Sequence, residues 1–198
     1  MFRPAIAVVA LGLFLAPAGA GEFNKKISIG DSAPKFAAKG TDGKEYTLDS
    51  FKDKDVLVIC VTCNHCPVAV AYEDRIIDFA KKYAGKDGKV AFLAVNVNLG
   101  EDDLLPKMKE RAREKGFTFP YAIDETQRVG RDLGASRTPE FFVFNKDRKL
   151  VYQGAMDDDM AEPKVNYVAA AVEATLKGAK VERAETRVRG CPVQYTNK

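Results

Sequence analysis

The sequence predicts an α/β fold, a mixed central β-sheet with helices on both faces and a β-hairpin extension at its N-terminal side. Three observations carry this. The run "DVLVICVT" (55–62) is almost wholly apolar and β-branched, the composition of a strand buried on both faces of a sheet. An amphipathic helix pattern follows it, then a second buried-strand run, "VAFLAVNV", which together make a right-handed βαβ unit. Downstream, "PEFFVFN" and "LVYQGAM", joined by the turn "KDRK", read as an antiparallel hairpin, so the sheet is mixed.

Along the chain, residues 1–20 read as an export signal, with Arg3 before the apolar "AIAVVALGLFLA" and an A-x-A cleavage pattern at Ala18-Gly19-Ala20. About a dozen apolar residues fall short of the roughly 20 needed to span a bilayer. The expectation is cleavage near Gly21 and a periplasmic or extracellular product with no stable membrane insertion. Residues 27–180 are then one domain, and 181–198 a polar arm carrying Cys191. Lys and Arg number 31 against 28 Asp and Glu, and only Arg3 leaves with the signal, so the mature chain is close to neutral. The two signs are interspersed, and no basic stripe interleaved with aromatics marks a nucleic-acid surface. Nucleic acid and anionic lipid are excluded as expected partners.

"SAPKFAAKGTDGKEYTL" gives two short extended segments around the turn Asp42-Gly43, the hairpin extension, and "LDSFKD" a single helical turn. From Pro67 to Tyr83, Val68, Tyr72, Ile76, Phe79 and Tyr83 recur at helical spacing, with Asp74, Arg75, Asp78 and Lys82 outside the stripe. The glycines of "AGKDGK" stop that helix. "DLLPKMKERAREKG" reads as a charged surface helix and "QRVGRDLG" as a shorter one. "PKVNYVAAAVEATLKGA" places Pro163 near a helix start, with Val165, Val168, Ala169, Val172 and Leu176 on one face. Asp157-Asp158-Asp159 reads as a solvated loop, since it lacks the alternating oxygen ligands of a calcium loop.

The chemistry concentrates at "VTCNHCP", which holds two of the four cysteines and the only histidine. A strand ending near Thr62 and a helix beginning at Cys63 or Asn64 put Cys63 and Cys66 in the helix's first turn, close enough to join as a redox-active disulfide. The free N–H groups and positive dipole end there favour a thiolate. Cys63, the more N-terminal thiol, is expected to be the exposed attacker and Cys66 the resolving one. His65 between them either assists the thiolate or is a solvated histidine.

"VLVICVTCNHCP", with "AVAYEDR" after it and "SRTPEFFVF" downstream, resembles the thioredoxin-like superfamily, and more narrowly its peroxiredoxin-like redoxin group with a Cys-Asn-His-Cys-Pro motif and a Gly-Cys near the C terminus, here Gly190-Cys191. The likeness runs over about residues 27–195. It implies a thioredoxin fold, a Thr138-Pro139 cis peptide facing the dithiol, and pairing of the Thr138 backbone with an extended substrate. It implies a disulfide-bearing or dithiol protein partner, or peroxide, and no cofactor beyond the Cys63–Cys66 disulfide. Two departures count against peroxide. Aligning Cys66 with the peroxidatic cysteine puts Ile59 and Cys63 where peroxiredoxins carry the proline and the Thr or Ser that activate it. Leu57 stands where thioredoxin has its buried Asp, which leaves Glu73 as a weak substitute for proton transfer; a solvated helix residue is the more ordinary reading of Glu73.

Cys60, inside the apolar strand, is expected to fill the core. Cys191 is a resolving thiol, a partner for an intermolecular disulfide, or an idle tail thiol. Cys60-x-x-Cys63-x-x-Cys66 with Cys191-Pro192 superficially matches an iron–sulfur run. Strand geometry at Cys60 opposes convergence, so no metal is expected, although Cu(I) on Cys63, Cys66 and neutral His65 defines a metal-carrier alternative.

Overall fold

A computed structural model of the chain describes residues 21–196. The signal sequence expected over 1–20 lies outside the described residues. The strands are β1 (Ala37–Gly40), β2 (Glu45–Thr47), β3 (Val56–Thr62), β4 (Val90–Asn96), β5 (Tyr121–Ile123), β6 (Arg137–Thr138), β7 (Glu140–Phe144), β8 (Leu150–Gly154) and β9 (Cys191–Pro192). The helices are α1 (Pro67–Tyr83), α2 (Leu105–Lys115), α3 (Arg128–Leu133) and α4 (Tyr167–Leu176). Seven strands form one sheet in the order β2-β1-β5-β4-β3-β7-β8, and β6 pairs with β9 in a small second sheet. β3, β4 and β5 run parallel, while β7 and β8 are antiparallel, as are β1 and β2. This is a thioredoxin-like fold, and its mixed sheet, central βαβ unit and both hairpins match the sequence expectations.

The double burial of β3 follows from its alternation. Val56, Val58 and Cys60 point into the core beneath α1, α2 and α4. Leu57, Ile59 and Val61 point into the opposite core, against Phe36, Phe51 and α3. β4 and β7 alternate in the same way, so each apolar run serves two cores at once. Full burial of each such side chain is worth about 1.5–3 kcal/mol, which fixes the end of β3, and hence the motif after it, in the interior of the sheet between β4 and β7.

Several local expectations are corrected. α4 starts at Tyr167 because Asn166 accepts a hydrogen bond from the Ala169 N–H at 2.8 Å; Pro163 lies outside it, and Val165 and Leu176 are exposed. Asp157 is buried, where it accepts hydrogen bonds from the Tyr72 hydroxyl at 2.6 Å and the Arg75 guanidinium at 2.8 Å. Asp159 does face solvent, and Asp158 is half-buried. The arm is laid over the domain as expected: the Thr186 side chain is buried against the Tyr152 hydroxyl, and the Gln153 N–H donates to the Ala184 carbonyl and the Thr186 N–H to the Gln153 carbonyl. Among the described residues no helix is long and apolar enough to cross a membrane.

Candidate active site

β3 ends at Thr62, the chain turns through Cys63, Asn64 and His65, and α1 begins at Pro67. Proline suits this first helical position, since its missing N–H has no partner to lose there. Only Cys66 belongs to the helix terminus. It is the N-cap, and its Sγ accepts from the Ala69 N–H at 3.4 Å. Cys63 lies before the helix, contrary to expectation, and it is as covered as Cys66, at 3% exposure against 0%. The two thiols converge on one residue. Cys63 Sγ is 3.2 Å from the Thr138 hydroxyl, and Cys66 Sγ donates to the Thr138 carbonyl at 3.3 Å. The Thr138-Pro139 peptide is cis, as the resemblance implied.

The turn is anchored by a residue that the sequence reading placed at the edge of a surface helix. Asp103 is buried just before α2, where it accepts from the Asn64 N–H at 2.7 Å and from Asn96 Nδ2 at 3.1 Å. It also meets His65 Nδ1, so the histidine is turned to Asp103 on the Cys63 side of the turn. No pattern in "GEDDLLP" marks one aspartate out of three neighbouring acids; only the fold of β4 into the following turn selects it. Cys63, His65 and Asp103 bring three metal-capable atoms within 4.8 Å of one another. Both Asp103 oxygens there already accept hydrogen bonds. Cys60 stands apart from this set, its side chain in the core beneath the helices.

Glu73 is not solvated. It is buried and held by Arg111 through Nε at 2.8 Å and Nη2 at 2.7 Å, with Lys115 at 3.5 Å. It also lines, with Cys63 and Tyr121, a small void under the turn.

Cys191 is in the site. β9 pairs antiparallel with β6, with Thr138 opposite Cys191, and Cys191 packs against the group formed by Cys63, Cys66 and Ala69. The backbone edge of Thr138, which the resemblance assigned to an extended substrate, is thus taken by the chain's own arm. Gly190 makes the approach possible: its φ is +151°, and a Cβ there would stand 2.1 Å from the Thr138 oxygen.

These surroundings separate the thiols. Burial pushes Cys63 up to about 12, with the Asp103 charge adding to it and the Thr138 hydroxyl only partly opposing. Burial also acts upward on Cys66, but the Cys191 thiol, the Ala69 N–H and the Thr138 hydroxyl outweigh it and hold Cys66 below the ordinary thiol value. The same contact, together with burial, raises Cys191. Beside Pro139 and Val68 opens a cleft of about 550 Å³, floored by Tyr72 and Met156 and rimmed by Arg187 and Arg189.

A thioredoxin-like sheet with a cysteine-capped helix against a cis-proline defines a protein of the thioredoxin-fold class. Within it, residues 28–169 match the model of the Redoxin family, and the chain belongs to that family. It is 32% identical to a hypothetical protein of Sinorhizobium meliloti, whose structure superposes with a TM-score of 0.79 over 88% of this chain and 98% of the other. An uncharacterised conserved protein of Geobacillus kaustophilus is 33% identical, with a TM-score of 0.79, over 86% and 93%. The thiol-disulfide oxidoreductase ResA of Geobacillus thermodenitrificans is 29% identical over 156 residues, 75% of this chain and 84% of that protein.

Proposed function

We propose that the chain is an exported thiol–disulfide oxidoreductase, in which Cys66 attacks a disulfide of a partner protein and Cys63 is the second thiol of the dithiol. The observation that carries the reading is that Cys66 alone caps α1, accepting the Ala69 N–H at 3.4 Å against Thr138-Pro139, and this placement goes with a Cys66 thiol held low while burial pushes Cys63 up to about 12. The ResA relatives, all of them oxidoreductases by name, support the reaction class. Export rests on the signal pattern of residues 1–20. The order of attack is the reverse of that expected from the motif's spacing, because the helix terminus belongs to Cys66 alone.

Chemically, the Cys66 thiolate displaces one sulfur of the partner's disulfide, and the partner leaves as a thiol once a second thiolate attacks Cys66 Sγ. Thr138 and Pro139 hold the wall of the site, Thr138 bonding to both thiols. His65 positions the turn through Asp103. The cleft beside Pro139, with exposed Met160 and Phe23 at its margin, is the surface on which a protein partner docks. In the test, the mature chain carrying Cys63→Ser and Cys191→Ser together should accumulate mixed disulfides through Cys66. Cys66→Ser should lose exchange by about 1000-fold or more. Exchange that survives in Cys66→Ser, with no mixed disulfide on Cys66 in the double variant, overturns the proposal.

One observation favours a second reading. Cys66, the thiol aligned with the peroxidatic position, is also the one held low. Peroxide would oxidise it to the sulfenic acid. Stopped-flow consumption of hydrogen peroxide by the reduced protein decides this, and an unchanged peroxide signal removes the reading.

A further inference from the structure

We propose that Cys191 is the resolving thiol of Cys66: the arm's strand β9 lies on Thr138 as a tethered internal substrate, and the mixed disulfide at Cys66 resolves into a Cys66–Cys191 disulfide that pins the arm across the site. The inference rests on Cys66 being the attacking thiol and adds what happens after the attack.

Three independent pieces of geometry place Cys191 there. Thr138 is shared: its carbonyl receives Cys66 Sγ at 3.3 Å, and its backbone is the register partner of Cys191. The arm is fastened on both sides of the thiol. Before it, the Arg137 guanidinium donates to the Gly190 carbonyl at 2.7 Å; after it, the Val193 N–H donates to Ser136 at 3.0 Å and the Gln194 N–H to Asn98 Oδ1 at 2.8 Å. Tyr195 closes the attachment, its hydroxyl donating to the Ala135 carbonyl at 2.7 Å with the Arg131 guanidinium over its ring. A thiol in an idle tail needs none of these contacts. The third piece is Gly190, whose left-side φ and lack of a Cβ let the strand approach Thr138 closely enough for Cys191 to reach the Cys66 group. Cys63, by contrast, has its thiol engaged by the Thr138 hydroxyl at 3.2 Å, whereas the Cys191 thiol lies against Cys66 itself.

The step balances as a two-electron exchange. The Cys66 thiolate attacks R–S–S–R′, the S–S bond breaks, and R′–S⁻ leaves with the proton that Cys191 gives up. Cys191 Sγ then attacks Cys66 Sγ, the Cys66–S–R bond breaks, and R–S⁻ takes a proton from solvent. The substrate disulfide becomes two thiols, and Cys66 with Cys191 becomes a disulfide. A dithiol protein of the same compartment, by the reverse exchange, regenerates the pair.

The experiment uses the reduced mature chain mixed with oxidised glutathione, quenched in acid at intervals, alkylated and mapped by peptide mass spectrometry. Wild type should show Cys66–Cys191 as the first intramolecular disulfide, and Cys63→Ser should form it too. Cys191→Ser should stall as the Cys66–glutathione adduct, with resolution slowed by about 100-fold, the order expected when an intramolecular thiol is replaced by a distant one. A first disulfide joining Cys63 to Cys66 at the same rate in wild type and Cys191→Ser overturns the role of Cys191 while leaving Cys66 as the attacker. No glutathione on Cys66 in any variant overturns the reading of Cys66 itself. The wild-type time course needs no substitution, so a misfolded variant does not obscure the result.

Discussion

Cys63 and Cys66 are three residues apart, equally buried and bonded to the same threonine, yet their acidities move in opposite directions. The difference comes from what the fold brings to each. Cys63 follows a buried strand, where the Thr138 hydroxyl and the Cys66 N–H do not offset its burial, and it faces the Asp103 carboxylate. Cys66 caps α1 and receives a thiol from the arm 125 positions later in the chain. A C-x-x-C spacing therefore makes two thiols neighbours without assigning their roles; a buried aspartate on one side and a returning strand on the other do that.

The contrast can be broken from the arm's side with the largest effect. Gly190→Ala puts a Cβ into the Thr138 carbonyl at a φ of +151°, which should cost the docked arm about 2–3 kcal/mol. Hydrogen exchange should rise over residues 190–196, and the Cys66 alkylation profile should move to higher pH while Cys63 stays in place. An unchanged Cys66 profile with a released arm would show that Cys191 has no part in lowering it. From beneath Cys63, Arg111→Met leaves Glu73 buried with only Lys115 at 3.5 Å, and should lower unfolding stability by about 2 kcal/mol in urea titration. Equal stability would mean that Glu73 finds water through the void it shares with Cys63. Asp103→Asn removes the charge facing Cys63, and alkylation of Cys63 above pH 9 should quicken on the order of tenfold, one pKa unit, with Cys66 unaffected. Parallel changes in both thiols would refute separate control.

The parts of the molecule legible in its sequence are those set by local pattern. α1 runs from Pro67 to Tyr83 as the stripe of Val68, Tyr72 and Ile76 predicts, and β3 and β4 follow from unbroken β-branched runs. β5, β6 and β9 have two or three residues each, too few to show a period, and exist because a neighbouring edge needs partners. The same limit applies to the site. Cys63, Cys66 and Thr138-Pro139 were readable, and the structure brings them together. Asp103 and the buried state of Glu73 were not, because both depend on α2 packing across the turn, and helical periodicity alone assigns Glu73 to neither face. Cys191 was visible as a residue, but its partner was hidden, since a polar arm carries no pattern that says which strand it will join.

The smallest expected effect isolates what the two thiols have in common. Glu140, next to Pro139, is buried, and its Oε2 accepts from the Ser136 N–H at 2.8 Å and the Arg137 N–H at 3.2 Å, which fixes the strand that presents Thr138 to both sulfurs. Burial raises its carboxyl above the ordinary 4.5 although those hydrogen bonds pull it down. A carboxyl with a folded pKa above its unfolded one contributes stability that is full below the unfolded value and is lost as pH rises through the folded one. Glu140→Gln keeps an accepting oxygen and removes the proton, so the stability of wild type relative to the variant should fall across that window as pH rises. Denaturant titrations at pH values on either side of it measure the change, and a difference independent of pH would contradict the assignment. Since Thr138 serves both sites, any shift this variant causes should act on Cys63 and Cys66 together; a shift at only one would mean that the β6 strand is coupled to that thiol by a contact other than Thr138.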